Sequence, residues 1–190
     1  MPELILRRHR KNHLRRRAVV KARIQLTLYV PPSSAVSIEE CRRLLDPIQA
    51  NLIPAHVTLC REDEVQDVDL SALGSILRAS RTQPITLKFG SPEVFQGHGL
   101  LLPCVEGEDQ FQDLRRCVLG SRNVRHHTPH ITVAHPRNPR SPQNVPANLS
   151  AIPKGLIITF ATVRHIRQEA MAPWQVIGEQ SLLGTARSDA

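Results

Sequence analysis

Aromatic side chains are scarce in this chain. Tyr29, Phe89, Phe95, Phe111, Phe160 and Trp174 are the whole set in 190 residues. So few rings exclude a broad stacking platform for single-stranded nucleic acid, and most of the six are expected in the core. Long apolar runs are missing as well. No stretch of 18 apolar residues occurs, so no segment reads as a membrane span, and no secretory apolar region is visible. Cysteine is sparse and unpaired in pattern. Cys41, Cys60, Cys104 and Cys117 show no C-x-x-C spacing, which argues against a zinc ribbon or a dithiol redox motif. Buried free thiols in a reducing, cytoplasmic setting are expected.

Charge is present but uneven. The formal net charge is +8, and residues 1–23 carry all of it: nine Lys/Arg against the single acid Glu3. The remaining 16 basic and 16 acidic residues cancel. Residues 1–22 therefore read as a basic tail, solvated and flexible, with salt-sensitive affinity for phosphates at most. Residues 23–185 are long enough for one good core and read as a single domain, expected to be monomeric.

Two short segments repeat one pattern. Pro54-Ala55-His56-Val57-Thr58-Leu59-Cys60-Arg61 and Thr128-Pro129-His130-Ile131-Thr132-Val133-Ala134-His135 each set a His-x-Thr-x unit in an alternating apolar run. Side chains on a strand alternate faces, so His and Thr at i and i+2 share one face while Val57, Leu59, Ile131 and Val133 point the other way. Two such strands facing each other would present two imidazoles and two hydroxyls to one cleft. Histidine titrates near neutrality, so one ring can act as base and the other as acid. Threonine hydroxyls can donate to the nonbridging oxygens of a phosphate. A third copy, His126-His127-Thr128, lacks the alternation, runs into Pro129 and reads as loop. The histidines at 126, 127, 130 and 135 invite a metal-hydrolase reading. No carboxylate or thiol lies among them and Pro129 breaks helical spacing, so no metal is expected.

The pair resembles the signature of the 2H phosphoesterases, the superfamily that includes the 2′-5′ RNA ligase-like (LigT-like) RNA 2′,3′-cyclic phosphodiesterases. The likeness covers roughly residues 23 to 183 and includes the order of the elements. It implies a two-lobed α+β fold with pseudo-two-fold antiparallel sheets flanked by helices, each lobe lending one His-x-Thr strand to a central cleft. It implies metal-independent hydrolysis of 2′,3′-cyclic phosphates on RNA ends or nucleotides to 2′-phosphates, with 2′-5′ joining as a side activity and no cofactor. His56, Thr58, His130 and Thr132 are then the catalytic set, with His56 as acid and His130 as base. Relatives commonly carry a phosphate-contacting Arg five places after the second motif's His. That place is His135 here, while the matching place after the first motif is Arg61. Both are candidate substrate-binding residues, with Arg61 otherwise a surface partner for the acidic Glu62-Asp63-Glu64 turn. A nucleotide- or RNA-binding module without turnover is the alternative on the same fold.

Local patterns predict the elements. Arg23–Val30 reads as a strand stopped by Pro31-Pro32. A helix from about Ser37 buries Cys41, Leu44, Leu45 and Ile48, with an end or kink at Pro47. Ile53–Arg61 forms the first motif strand, and a helix spans Asp69–Ser80. Ile85–Phe89 is a strand, and Glu93–Val105 a hairpin with its tip at Gly97-His98-Gly99. Asp109–Leu119 is helical with Phe111, Leu114, Cys117 and Val118 inward. Residues 136–153 form a long loop. Leu156–His165 and Pro173–Leu183 are two strands joined near Glu169. Helices and strands mix without regular βαβ alternation, so antiparallel α+β is the expected class.

Overall fold

The computed structural model describes residues 22–66 and 68–183. The expected basic tail, up to residue 21, lies outside the described residues, as do residues 184–185 of the expected domain. The first strand and helices are β1 (Arg23–Tyr29), α1 (Pro32–Leu45) and α2 (Pro47–Leu52), followed by β2 (His56–Cys60) and α3 (Leu73–Ala79). Next come β3 (Ile85–Phe89), β4 (Glu93–Phe95), β5 (Gly99–Glu106) and α4 (Glu108–Leu119). The chain continues through β6 (His130–Ala134), the one-turn α5 (Pro146–Leu149), β7 (Ile157–Phe160), β8 (Thr162–Gln168) and β9 (Gln175–Ser181). The strands hydrogen-bond in the order β7-β3-β5-β6-β2-β1-β8-β9, with β4 added beside β5, and their pairings are antiparallel. The two motif strands, β2 and β6, sit at the centre. A first lobe (β2-β1-β8-β9) extends to one side and a second (β6-β5-β3-β7) to the other.

The lobes repeat one another to the residue. In the first, Tyr29, Leu28 and Thr27 pair with His56, Val57 and Thr58, and after a bulge Leu26 pairs with Cys60. In the second, Pro103, Leu102 and Leu101 pair with His130, Ile131 and Thr132, and after a bulge Leu100 pairs with Ala134. Each position of the first set recurs 74 residues later in the second. A bulge kinks a strand and tightens its twist. The same bulge in both lobes curls both motif strands alike.

Apolar alternation fixes which face is buried. β2 and β6 have the same burial sequence, with His and Thr half-buried and Val57, Leu59, Ile131 and Val133 fully enclosed. Each such aliphatic side chain contributes about 1.5–3 kcal/mol by leaving water. A one-residue slip would reverse the faces, so the core itself holds the His and Thr face outward.

Each lobe also carries one wholly buried arginine, and both pin the segment that enters a motif strand. Arg42 of α1 donates to the carbonyls of Gln49 (3.3 Å) and Ile53 (2.7 Å), and its charge is met by Glu39 at 2.8 Å. Arg115 of α4 donates to the Arg125 carbonyl (3.0 Å) and the Leu59 carbonyl, with Glu64 at 2.6 Å. Burial alone would raise the Glu64 carboxyl. The Arg115 hydrogen bond and charge outweigh it and hold the group below the ordinary carboxylate value.

Several expectations need correction. α1 opens at Pro32 rather than near Ser37, because Pro is accommodated in a helix's first turn, where its missing N–H is no loss. Leu44 and Ile48 are each 42 % exposed, and Arg42 occupies the buried face in their place. The Pro47 break is real: α1 ends at Leu45, and Asp46 caps α2 by accepting from Gln49 N at 2.9 Å. The helix expected from Asp69 starts at Leu73, although Asp69 does accept from Ser71 N and Ala72 N ahead of it. The Leu156–His165 strand is two strands. β7 pairs with β3 in the second lobe, and after Ala161 the chain crosses to pair with β1 as β8 in the first. Cys117 is only partly buried, and all four cysteines are free thiols. Among the described residues no helix is long and apolar enough to cross a membrane.

Candidate active site

The motif strands pair antiparallel through Val57 and Ile131. By antiparallel alternation that register sets His56 beside Thr132 and Thr58 beside His130, with the two imidazoles on a diagonal. Backbone positions on such a diagonal lie about 7–8 Å apart. All four side chains are half-buried on one face.

The two rings are anchored identically. His56 Nδ1 lies 2.7 Å from the Pro54 carbonyl, and His130 Nδ1 lies 3.0 Å from the Thr128 carbonyl. A carbonyl only accepts, so each Nδ1 carries the proton and donates, leaving Nε2 as the working atom. Neither Nε2 has a hydrogen-bond partner among the described residues, nor does either of the hydroxyls of Thr58 and Thr132. Thr27 shows the contrast: fully buried, it spends its hydroxyl on the Val57 carbonyl at 2.9 Å.

The rings differ in surroundings. His56 is enclosed by neighbouring atoms while keeping an accessible edge, with the Tyr29 ring packed edge-on at 6.2 Å between centroids. Burial lowers its pKa to about 4, against the raising effect of the Pro54 carbonyl and helped by the charges of Arg42 and His130. His56 is therefore neutral at neutral pH.

This arrangement, two His-x-Thr strands meeting at the centre of a duplicated sheet, coincides with a family match. Residues 30–159, more than half of the chain, match the model of the 2′-5′ RNA ligase superfamily. The chain belongs to this superfamily. No curated protein matches it in sequence. Among solved structures it is similar in fold to TT0787 of Thermus thermophilus, with a TM-score of 0.55 and 19% identity over 86% of this chain and 100% of that one. It is also similar to E. coli LigT complexed with phosphate, with a TM-score of 0.53 and 11% identity over 86% and 98% of the two chains. LigT complexed with NADP+ gives 0.52 and 15% over 84% and 97%. The expected LigT-like, two-lobed α+β fold of the 2H phosphoesterases is the fold found.

Within this superfamily fold, the candidate substrate-binding residues part ways. Arg61 leaves β2 exposed, next to three carboxylates, yet each carboxylate is taken from elsewhere. Glu62 pairs with Arg23 (2.5 Å), Asp63 with Arg125 (3.1 Å) and Glu64 with Arg115 (2.6 Å). Among the described residues the Arg61 guanidinium makes no close ion pair, although its charge, after that of Arg125, favours the ionised Asp63 carboxylate. Its main-chain N donates to Glu64 at 2.9 Å, which fixes the base of the side chain. His135 is at the far end of β6 from His130, roughly 16 Å along an extended strand. Its main chain donates to Asp46 (2.8 Å) and its Nδ1 accepts from Arg137 N (3.1 Å). Burial, then Arg137, lowers its pKa. By the 74-residue repeat His135 is the counterpart of Arg61, each one place past the end of its motif strand.

The remaining histidines disperse. His126 is exposed against Glu108 at 3.0 Å, and His98 Nε2 meets the Asn138 carbonyl at 2.8 Å. Among the described residues no group of three or more His, Cys, Asp and Glu gathers into a metal-binding set. His127, read as loop, is nevertheless close to the site. Its ring packs against Phe111 (6.4 Å) and edge-on against His130 (6.3 Å). Its pKa is lowered to about 4 by burial and by Arg115, His130 and Arg61. Tyr29 and Arg164 also border the cleft, and only cross-strand register reveals them. A cavity of about 410 Å³ lies elsewhere, lined by Thr82, Gln110 and Cys117 among others, and no motif residue takes part in it.

Proposed function

We propose that the chain is a metal-independent 2′,3′-cyclic phosphodiesterase acting on RNA ends or nucleotides in the cytoplasm. The observation that carries this reading is the paired anchoring of His56 and His130, each with Nδ1 tied to the carbonyl two residues back and Nε2 free on the shared face. In the proposed reaction water adds to phosphorus and gives its proton to one Nε2. The P–O3′ bond breaks, and the other imidazole protonates O3′, leaving a 2′-phosphate and a free 3′-hydroxyl. The lowered pKa of His56 supports it as base, the reverse of the order expected from sequence, and assigns the departing oxygen to His130. Thr58 and Thr132 donate to the nonbridging oxygens, where charge grows in the transition state. Arg61 supplies the cation that relatives carry in the other lobe. A ribose 5′-hydroxyl in place of water gives 2′-5′ joining by the same proton transfers.

The test is adenosine 2′,3′-cyclic phosphate in EDTA. The expected product is 2′-AMP, with turnover lowered about 10²–10⁴-fold in His56→Ala and in His130→Ala. Turnover undiminished by either substitution would exclude the mechanism. Tight nucleotide binding without turnover would move the chain to the binding-module reading.

A further inference from the structure

The flanks of the cleft differ although the strands that build them match. Opposite His130 stands Pro103, with Leu101 two residues away opposite Thr132. Opposite His56 stands Tyr29, and on the Tyr29 ring lies the guanidinium of Arg164, 5.1 Å from the centroid. Arg164 belongs to β8 and pairs with Thr27, which pairs with Thr58. Register partners share a face, so Arg164 opens on the face that carries the motif hydroxyls. Two strand spacings put its Cα roughly 10 Å from that of Thr58.

The guanidinium is held from two sides. Its Nε donates to Glu179 at 2.8 Å and its plane rests on Tyr29, while the two Nη nitrogens have no partner among the described residues. The side chain remains 27 % exposed. A planar fork fixed in this way presents its open edge in one direction, which suits a phosphate group. The second lobe has no counterpart, since the strand beside Leu101 offers Glu93.

We propose that Arg164, braced on Tyr29, is a second phosphate subsite that takes the phosphate one sugar away from the one being hydrolysed. The enzyme is then fitted to an RNA strand end, or to a 5′-phosphorylated nucleotide, rather than to a bare cyclic nucleoside phosphate. The inference rests on the cyclic phosphodiesterase reading above. It adds a substrate class that reading leaves open.

The experiment measures kcat/KM of the full chain on three compounds. These are adenosine 2′,3′-cyclic phosphate, the same compound with a 5′-phosphate, and the ApA dinucleotide ending in a 2′,3′-cyclic phosphate. The 5′-phosphate is expected to raise kcat/KM about tenfold to a hundredfold, the scale of one hydrogen-bonded charge contact, and the dinucleotide by a similar factor. Arg164→Gln is expected to bring both ratios near one. Arg164→Lys should restore part of them, since it keeps the charge and loses the fork. Turnover of the bare compound with no gain from the 5′-phosphate would overturn the subsite alone. So would a gain confined to the dinucleotide that survives Arg164→Gln, because it would belong to the second nucleoside. Failure of the wild type on all three compounds would overturn the parent reading, and the subsite with it.

Discussion

The first and second lobes share register, bulge and burial to the residue, and differ in what borders the histidine. His56 has Tyr29 beside it and Arg164 beyond; His130 has Pro103 and Leu101. The duplicated part is the part that aims groups: strand pairing, bulge, buried arginine and the carbonyl that orients each ring. The divergent part is the environment. The proposed two-proton reaction would need this combination, because its two rings must occupy equivalent places and yet play opposite parts. Identical surroundings would give both rings the same protonation preference.

The comparison breaks most visibly at the histidines themselves. His56→Ala and His130→Ala are each expected to lower kcat/KM by about 10²–10⁴-fold. A substrate with sulfur in place of the bridging O3′ separates their roles, because a thiolate leaves without a proton. On that substrate the loss in His130→Ala should shrink by at least tenfold while the loss in His56→Ala persists. Equal rescue of both variants would mean that the lobes do not divide the work.

The buried arginines test the shared scaffold. Arg42→Met leaves Glu39 without its cation in a mostly buried place, and Arg115→Met leaves Glu64 with only the more distant Arg125 at 3.7 Å. Losing one partner of such a pair costs about 3–5 kcal/mol. Urea unfolding should show losses of this size in both variants. A loss in one lobe only would show that the repeat is geometric and not energetic. Smaller again are the hydroxyls: Thr58→Val and Thr132→Val keep shape and remove a donor, with kcat expected to fall about a hundredfold. Their circular dichroism and melting should stay at wild-type values, since neither hydroxyl is bonded among the described residues.

The motif pair is legible in the sequence because period-2 alternation is local. Val57 and Leu59 declare which face is buried, and His56 and Thr58 follow on the other. Ile85–Phe89 is legible to the residue for the same reason, bounded by Pro84 and Gly90. What stays hidden is non-local. Leu156–His165 is one apolar run to the eye, and only sheet pairing divides it between lobes at Ala161. Leu44 and Ile48 fit helical spacing, but Arg42 is drawn inward by carbonyls that precede β2, which turns the buried face away from them. Tyr29 and Arg164 carry no motif. Their relation to His56 is a matter of register across three strands, and no local sequence signal could have revealed it. Arg61 sits in sequence beside acids that suit it as partners, and only the fold shows each of those acids engaged by another arginine.

The smallest expected change is one of position along the pH axis, and it bears directly on why the lobes differ. Burial, to which Tyr29 contributes, holds His56 near a pKa of about 4 in the free enzyme. A base must be unprotonated, so kcat/KM should hold as pH falls through the ordinary histidine value of about 6.5 and decline only toward 4. Linkage gives a matching sign in stability. Between those values the unfolded chain binds protons that folded His56 and His127 refuse, so folding stability drops as pH is lowered across that window. Tyr29→Ala admits water to the His56 ring and is expected to move the acid limb upward, toward 6.5. Pro103→Ala, at the equivalent place in the second lobe, should leave that limb where it is. If both substitutions moved it equally, the limb would belong to the coupled pair of imidazoles, and the asymmetry between the lobes would not be what sets the base.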